Sequence, residues 1–81
     1  MKVYVYTESW YTPDEYVGIA DVQVFKYKAD ALSYLAMKRD DFLNYPDDEW
    51  VCDWGDKDGS TFAHLSAGND DVVMSVTERD I

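Results

Sequence analysis

Apolar and polar positions alternate from the first residues: Val3, Val5 and Thr7 interleave with Tyr4 and Tyr6, which predicts a strand from Lys2 to Glu8. Ser9 to Gly18 contains Thr12-Pro13-Asp14-Glu15 and ends in glycine, so it is expected to form an exposed loop. A second strand is predicted from Ile19 to Phe25, with Ala20, Val22 and Val24 on one side and Ile19, Asp21, Gln23 and Phe25 on the other. From Lys28 to Leu43 the period becomes helical, with Ala31, Leu32, Leu35, Ala36, Arg39, Phe42 and Leu43 on one face. Asp30 suits the positive end of that helix dipole, whereas Asp40 and Asp41 oppose the negative end and are expected to fray it or stop it early. Asn44-Tyr45-Pro46-Asp47 then ends it.

The last third reads as strands over Glu49 to Trp54, Ser60 to Ala67 and Val72 to Arg79. They are punctuated by Gly55-Asp56-Lys57-Asp58-Gly59 and Gly68-Asn69-Asp70-Asp71. The order ββαβββ is that of an α+β fold in which one helix packs on one face of a mostly antiparallel sheet, in two layers. A helix of this length reaches about 24 Å, so it covers one sheet face only. Both sides of the strands nevertheless carry large groups: Tyr4 and Tyr6 oppose Val3 and Val5, and Trp50 and Trp54 oppose Val51. Two outcomes follow from that surplus. Either the sheet curls and closes a second cluster with a Trp10-Tyr11 loop, or Tyr4, Tyr6, Trp50 and Trp54 form an aromatic interaction face, as Tyr and Trp do at binding hot spots.

Composition limits the classes. Eighty-one residues make one domain, 1–81, and an aromatic content of 16% is too apolar for a disordered chain. The first segment alternates instead of forming the apolar block of a signal peptide, and the single Cys52 excludes an internal disulfide; a cytoplasmic protein is expected. Seventeen acids against seven bases give a net charge of −10, which disfavours direct nucleic-acid binding and anionic membranes. The acids are uneven: Asp40, Asp41, Asp47, Asp48, Glu49, Asp53, Asp56 and Asp58 crowd one stretch in which Lys57 is the only base. Such a run is either a solvated face or an acidic rim that attracts a basic protein partner.

Candidate chemistry is sparse. One His and one Cys cannot build a structural zinc site, and no metal or cofactor is expected. Cys52 reads as a small buried hydrophobe, and His64 shares a strand face with Phe62 and Ser66. The turn from Asp53 to Gly59 fails the calcium-loop test, because aligning Asp56 and Asp58 with its third and fifth positions puts Trp54 at the first and Leu65 at the twelfth. The adjacent acids Asp40-Asp41, Asp47-Asp48 and Asp70-Asp71 fall in turns or at a helix end, and do not make a catalytic carboxylate pair across a cleft. No catalytic residue is identified and a non-enzyme is expected.

The opening Lys2-Val3-Tyr4-Val5-Tyr6-Thr7, followed by Val22-Gln23-Val24-Phe25 and Ala29-Asp30-Ala31-Leu32-Ser33-Tyr34-Leu35, resembles a pattern in small uncharacterised proteins of bacteria and their prophages, over the first half of the chain. The resemblance implies the strand-strand-helix arrangement and a prophage or mobile-element accessory role; it brings no catalytic residues with it. The function expected from all of this is a small acidic protein-interaction module, a homodimer being one form of it. The alternative is an acidic inhibitor that mimics nucleic acid and occupies a partner's phosphate channel; an enzyme is a distant third.

Overall fold

A computed structural model describes residues 1–11, 16–44, 50–57, 60–67 and 70–81. Its elements are β1 (Lys2–Tyr11), β2 (Tyr16–Phe25), α1 (Lys28–Leu43), β3 (Val51–Lys57), β4 (Ser60–Ala67) and β5 (Asp70–Asp80). The strands form a five-stranded sheet in the order β2-β1-β5-β4-β3, and every neighbouring pair is antiparallel. The chain thus adopts the ββαβββ order, with one helix against one sheet face.

The helix and β4 have the bounds that their periodicity predicts; the other strands run longer. Ser9 to Tyr11, expected in a loop, continue β1, and Trp10 and Tyr11 pair with Val72 and Asp71 of β5. No Trp10-Tyr11 loop therefore closes a second cluster; Trp10 packs against the main core. Strand β3 begins two residues after Glu49 and continues to Lys57, because Gly55, Asp56 and Lys57 pair with Phe62, Thr61 and Ser60. Asp70 and Asp71 are strand residues too, opposite Ala67 and Ser66. In the last two cases a polar or glycine-rich stretch with turn composition is drawn into the ladder by the strand beside it, since tertiary pairing outweighs local preference. The helix also reaches Leu43 despite Asp40 and Asp41, where the Asn44 N–H donates to the Asp40 carbonyl at 3.0 Å.

Strand β2 holds a further correction. Glu8 faces Asp21 but Ser9 faces Ile19, so Ala20 is an extra residue, and a second register shift follows between Trp10 and Tyr11. A bulge changes the parity of everything beyond it. Ile19 consequently lies opposite Ser9, on the same sheet face as Val22 and Val24 rather than with Asp21, Gln23 and Phe25. Gly18, at φ 85° next to the second shift, supplies the positive φ that residues with a β-carbon rarely adopt.

The core lies between α1 and one sheet face. Tyr6, Ala63, Leu65, Val72, Met74 and Val76 of the sheet bury themselves against Ala31 and Leu35, with Tyr4, Trp10, Phe25, Leu32, Tyr34, Phe42, Trp50 and Cys52 packed around them. Burial of this apolar area is the main stabilising term. Thr7, Ser75, Ser60 and Thr77 face the other way, and their hydroxyls pair across strands, Thr7 with Ser75 at 2.8 Å and Ser60 with Thr77 at 2.9 Å. That hydroxyl-rich face is uncovered by any described element.

Candidate functional site

Acidic side chains occur in two contrasting settings. On β1 the alternation Tyr6-x-Glu8-x-Trp10 puts an acid between two aromatic donors on the helix-covered face. Glu8 is only 4% exposed. Its Oε1 accepts from the Tyr6 hydroxyl at 2.9 Å and lies 3.5 Å from Lys38 Nζ, while its Oε2 accepts from Trp10 Nε1 at 2.8 Å. A carboxylate so deep is tolerable only because it is hydrogen-bonded and paired. Burial, then the bond to Glu8, push the Tyr6 phenol far above its ordinary range.

Opposite Glu8, on the neighbouring strand, stands Asp21. Two like charges in register repel. Here Asp21 is held by the Tyr34 hydroxyl at 2.7 Å and by Gln23 at 3.1 Å, and these two bonds keep its carboxyl below the usual range; the charge of Lys38 adds to the effect. The Tyr34 phenol is raised in turn, first by that bond and then by burial. Tyr34 also meets Tyr6 edge-on, with centroids 4.8 Å apart, and Phe25 at 5.4 Å. The network fastens α1 to β1 and β2 and has a structural purpose. Its sequence signal, an acid with aromatic donors two residues to either side, is absent from the acid clusters that density picks out.

The proposed aromatic face divides. Tyr6 is fully buried, and Tyr4 and Trp50 are half-buried against the core. Tyr4 reaches Glu78, and Trp50 meets Phe42 edge-on at 5.3 Å, which in turn meets Trp10 at 5.3 Å. Only Trp54 is largely open, 47% exposed on the edge strand β3.

The acidic rim also divides. Asp47, Asp48, Glu49 and Asp58 lie outside the described residues. Asp40 and Asp41 are exposed on the last turns of α1, and Asp53 and Asp56 are exposed on β3. Arg39 joins these two segments: its guanidinium lies over the Trp54 ring, 4.7 Å from the centroid, and donates to Asp40 at 3.0 and 3.1 Å. The arrangement is a partly stacked tryptophan with Asp40 held beside it through Arg39 and Asp56 on its own face of β3, while Asp53 points to the opposite face. Gly55, next along β3, faces the other side of the sheet with Phe62. A β-carbon there would stand 3.0 Å from the Phe62 ring, so the phenyl lies across the glycine and closes the gap in the edge strand.

The remaining candidates bear little chemistry. His64 pairs with Asp71 at 2.9 Å on the uncovered face, both being part-exposed. Burial raises the Cys52 thiol, the opposite of what a thiolate nucleophile needs. Among the described residues no group of three or more metal-ligating side chains converges, and no helix is long and apolar enough to cross a membrane. Compared with known proteins, the chain matches no family model, no curated protein and no solved structure.

Proposed function

We propose that the protein is a small, cytoplasmic protein-interaction module, without catalytic activity, that presents the Trp54 edge to a partner with a basic surface. The observation that carries this reading is the Arg39 bridge, which brings Trp54 beside Asp40, while Asp56 shares the face of β3 on which Trp54 lies and Asp53 occupies the other face of the same exposed edge. An exposed Trp bordered by charged groups is the composition of an interaction hot spot with a polar rim. Exposed acids of one sign steer a basic partner and make its binding salt-dependent. A prophage or mobile-element accessory role is compatible with such a binder.

The test is affinity capture from a lysate of the source cells with the parent protein, Trp54→Ala, and the combined Asp40→Asn, Asp41→Asn, Asp53→Asn and Asp56→Asn variant. The proposal expects a partner retained by the parent and lost by both variants, each shown to be folded by its melting curve. Equal retention by all three would reject it. Displacement of the partner by added DNA or RNA would turn the reading toward a nucleic-acid mimic, in which the same carboxylates occupy a phosphate channel.

A further inference from the structure

The two sheet edges are built differently. Edge β3 spans seven residues and carries Asp53, Gly55 and Asp56, features that discourage a neighbouring strand. Edge β2 spans ten residues, and its outer side pairs with no described strand. Its bulges lie in the half toward Tyr16; from Asp21 to Phe25 it pairs residue for residue with Glu8 to Tyr4, so five consecutive positions keep regular strand geometry. Val22 and Val24 within that stretch are 49% and 64% exposed, and Ile19 beside them is 64% exposed. A regular, β-branched, unguarded edge is a template for another strand.

We propose that this edge pairs with the same edge of a second copy, antiparallel and two-fold symmetric about Gln23, joining two sheets into one. The choice of a second copy rests on register and charge. Symmetry about Gln23 sets Asp21 opposite Phe25, Val22 opposite Val24, and Ala20 opposite Lys26 of the other chain, so no like charges stand opposite each other. The net charge of −10 does not forbid the contact at the ladder itself, because from Ile19 to Tyr27 one acid, Asp21, is matched by one base, Lys26, whereas Asp40, Asp41, Asp53 and Asp56 belong to the β3 edge and the end of α1. Across the seam, Val22 and Val24 of both chains form a β-branched block on the uncovered face. The Trp54 edges remain at the two outer ends, so the dimer is bivalent for whatever they bind.

A ladder this short buries far less than the roughly 1,600 Å² of a standard interface, so the dimer forms at high concentration and dissociates on dilution. Sedimentation velocity from about 10 μM to about 1 mM should show the mean mass of the parent rising from one chain toward two, by mass action. The double variant Val22→Lys and Val24→Lys should stay monomeric throughout with an unchanged melting curve, while Val51→Lys on the other edge should dimerise like the parent. Register is tested separately in a Cys52→Ser background: under oxidised glutathione Gln23→Cys should yield a disulfide-linked dimer, because symmetry brings that position to its own copy, and Val51→Cys should not. A parent that remains monomeric at the highest concentration, or a double variant that still dimerises, overturns the proposal; failure of Gln23→Cys to cross-link overturns the register.

Discussion

Acids at the β1–β2 side and acids at the β3 side of the molecule do opposite things. Glu8 and Asp21 face each other beneath α1, and each is held by aromatic hydroxyls, by an indole N–H or by an amide, with Lys38 close by. Asp40 and Asp41 are exposed at the end of α1, and Asp53 and Asp56 on the edge strand β3. The difference teaches that local acid density is a poor guide to which carboxylates the fold depends on. The isolated acid on an aromatic strand is the one whose loss leaves buried donors without a partner; of the crowded acids described, Asp40 accepts from Arg39 and Asp56 from Thr61 at the surface, and none is buried.

Glu8→Ala is the change expected to damage the fold most. It strands the Tyr6 hydroxyl and the Trp10 N–H in the core and leaves Lys38 without its carboxylate, a loss of about 3 kcal/mol or more. Urea unfolding followed by tryptophan fluorescence measures it. A loss under about 1 kcal/mol would mean that Glu8 is not the fastening of α1 to β1. Glu8→Gln keeps an acceptor for the two donors but not the charge beside Lys38, and should fall between the parent and the alanine variant.

The Asp21 pair is expected to show a smaller effect with a defined pH signature. The folded protein holds the Asp21 carboxyl below its unfolded pKa, so this stabilisation is present above the unfolded value and is lost as pH falls through the folded one. Tyr6 and Tyr34 work at the other end: their raised phenols contribute stability that is complete below an unfolded pKa of about 10 and is lost as pH rises beyond it. Tyr34→Phe should flatten the acid limb and cost about 1 kcal/mol at neutral pH. An unchanged acid limb would show that the Tyr34–Asp21 bond carries no weight.

On the β3 side, Gly55→Ala should cost about 1 kcal/mol, because the new methyl meets the Phe62 ring and the ring must shift. Pairing Gly55→Ala with Phe62→Leu separates the contact from strand propensity: the two costs should be less than additive if the ring is what the methyl meets. Smallest of all, Asp53→Asn and Asp56→Asn should each move stability by less than about 0.5 kcal/mol, as exposed substitutions do. Neutralising them together is expected to raise the melting midpoint slightly at low salt by relieving like-charge repulsion, and to lose that advantage at physiological ionic strength.

Periodicity in the sequence is enough to place the helix over Lys28 to Leu43 and β4 over Ser60 to Ala67, because both have strong patterns and clear punctuation. It fails where pairing overrules composition. Gly55, Asp56 and Lys57 and then Asp70 and Asp71 have turn chemistry but are pulled into the ladder by β4. The bulge at Ala20 is invisible in an alternating string, yet it decides that Ile19 joins Val22 and Val24. Alternation places Tyr4 and Tyr6 on one face of β1 but does not tell which face the helix covers, so an aromatic stripe with the look of an interface becomes core. Trp54 escapes that outcome only because β3 is at the sheet edge, a position set by strand order and not by any local pattern.

The most direct test of the division between structural and available acids is partner capture by the Asp40→Asn, Asp41→Asn, Asp53→Asn and Asp56→Asn protein, measured against the parent over a sodium chloride series. The account predicts that this variant melts within about 3 °C of the parent, yet captures the partner at least tenfold more weakly at low salt and with little remaining salt dependence. Capture equal to that of the parent at every salt concentration would contradict it and leave these carboxylates as a solvated surface.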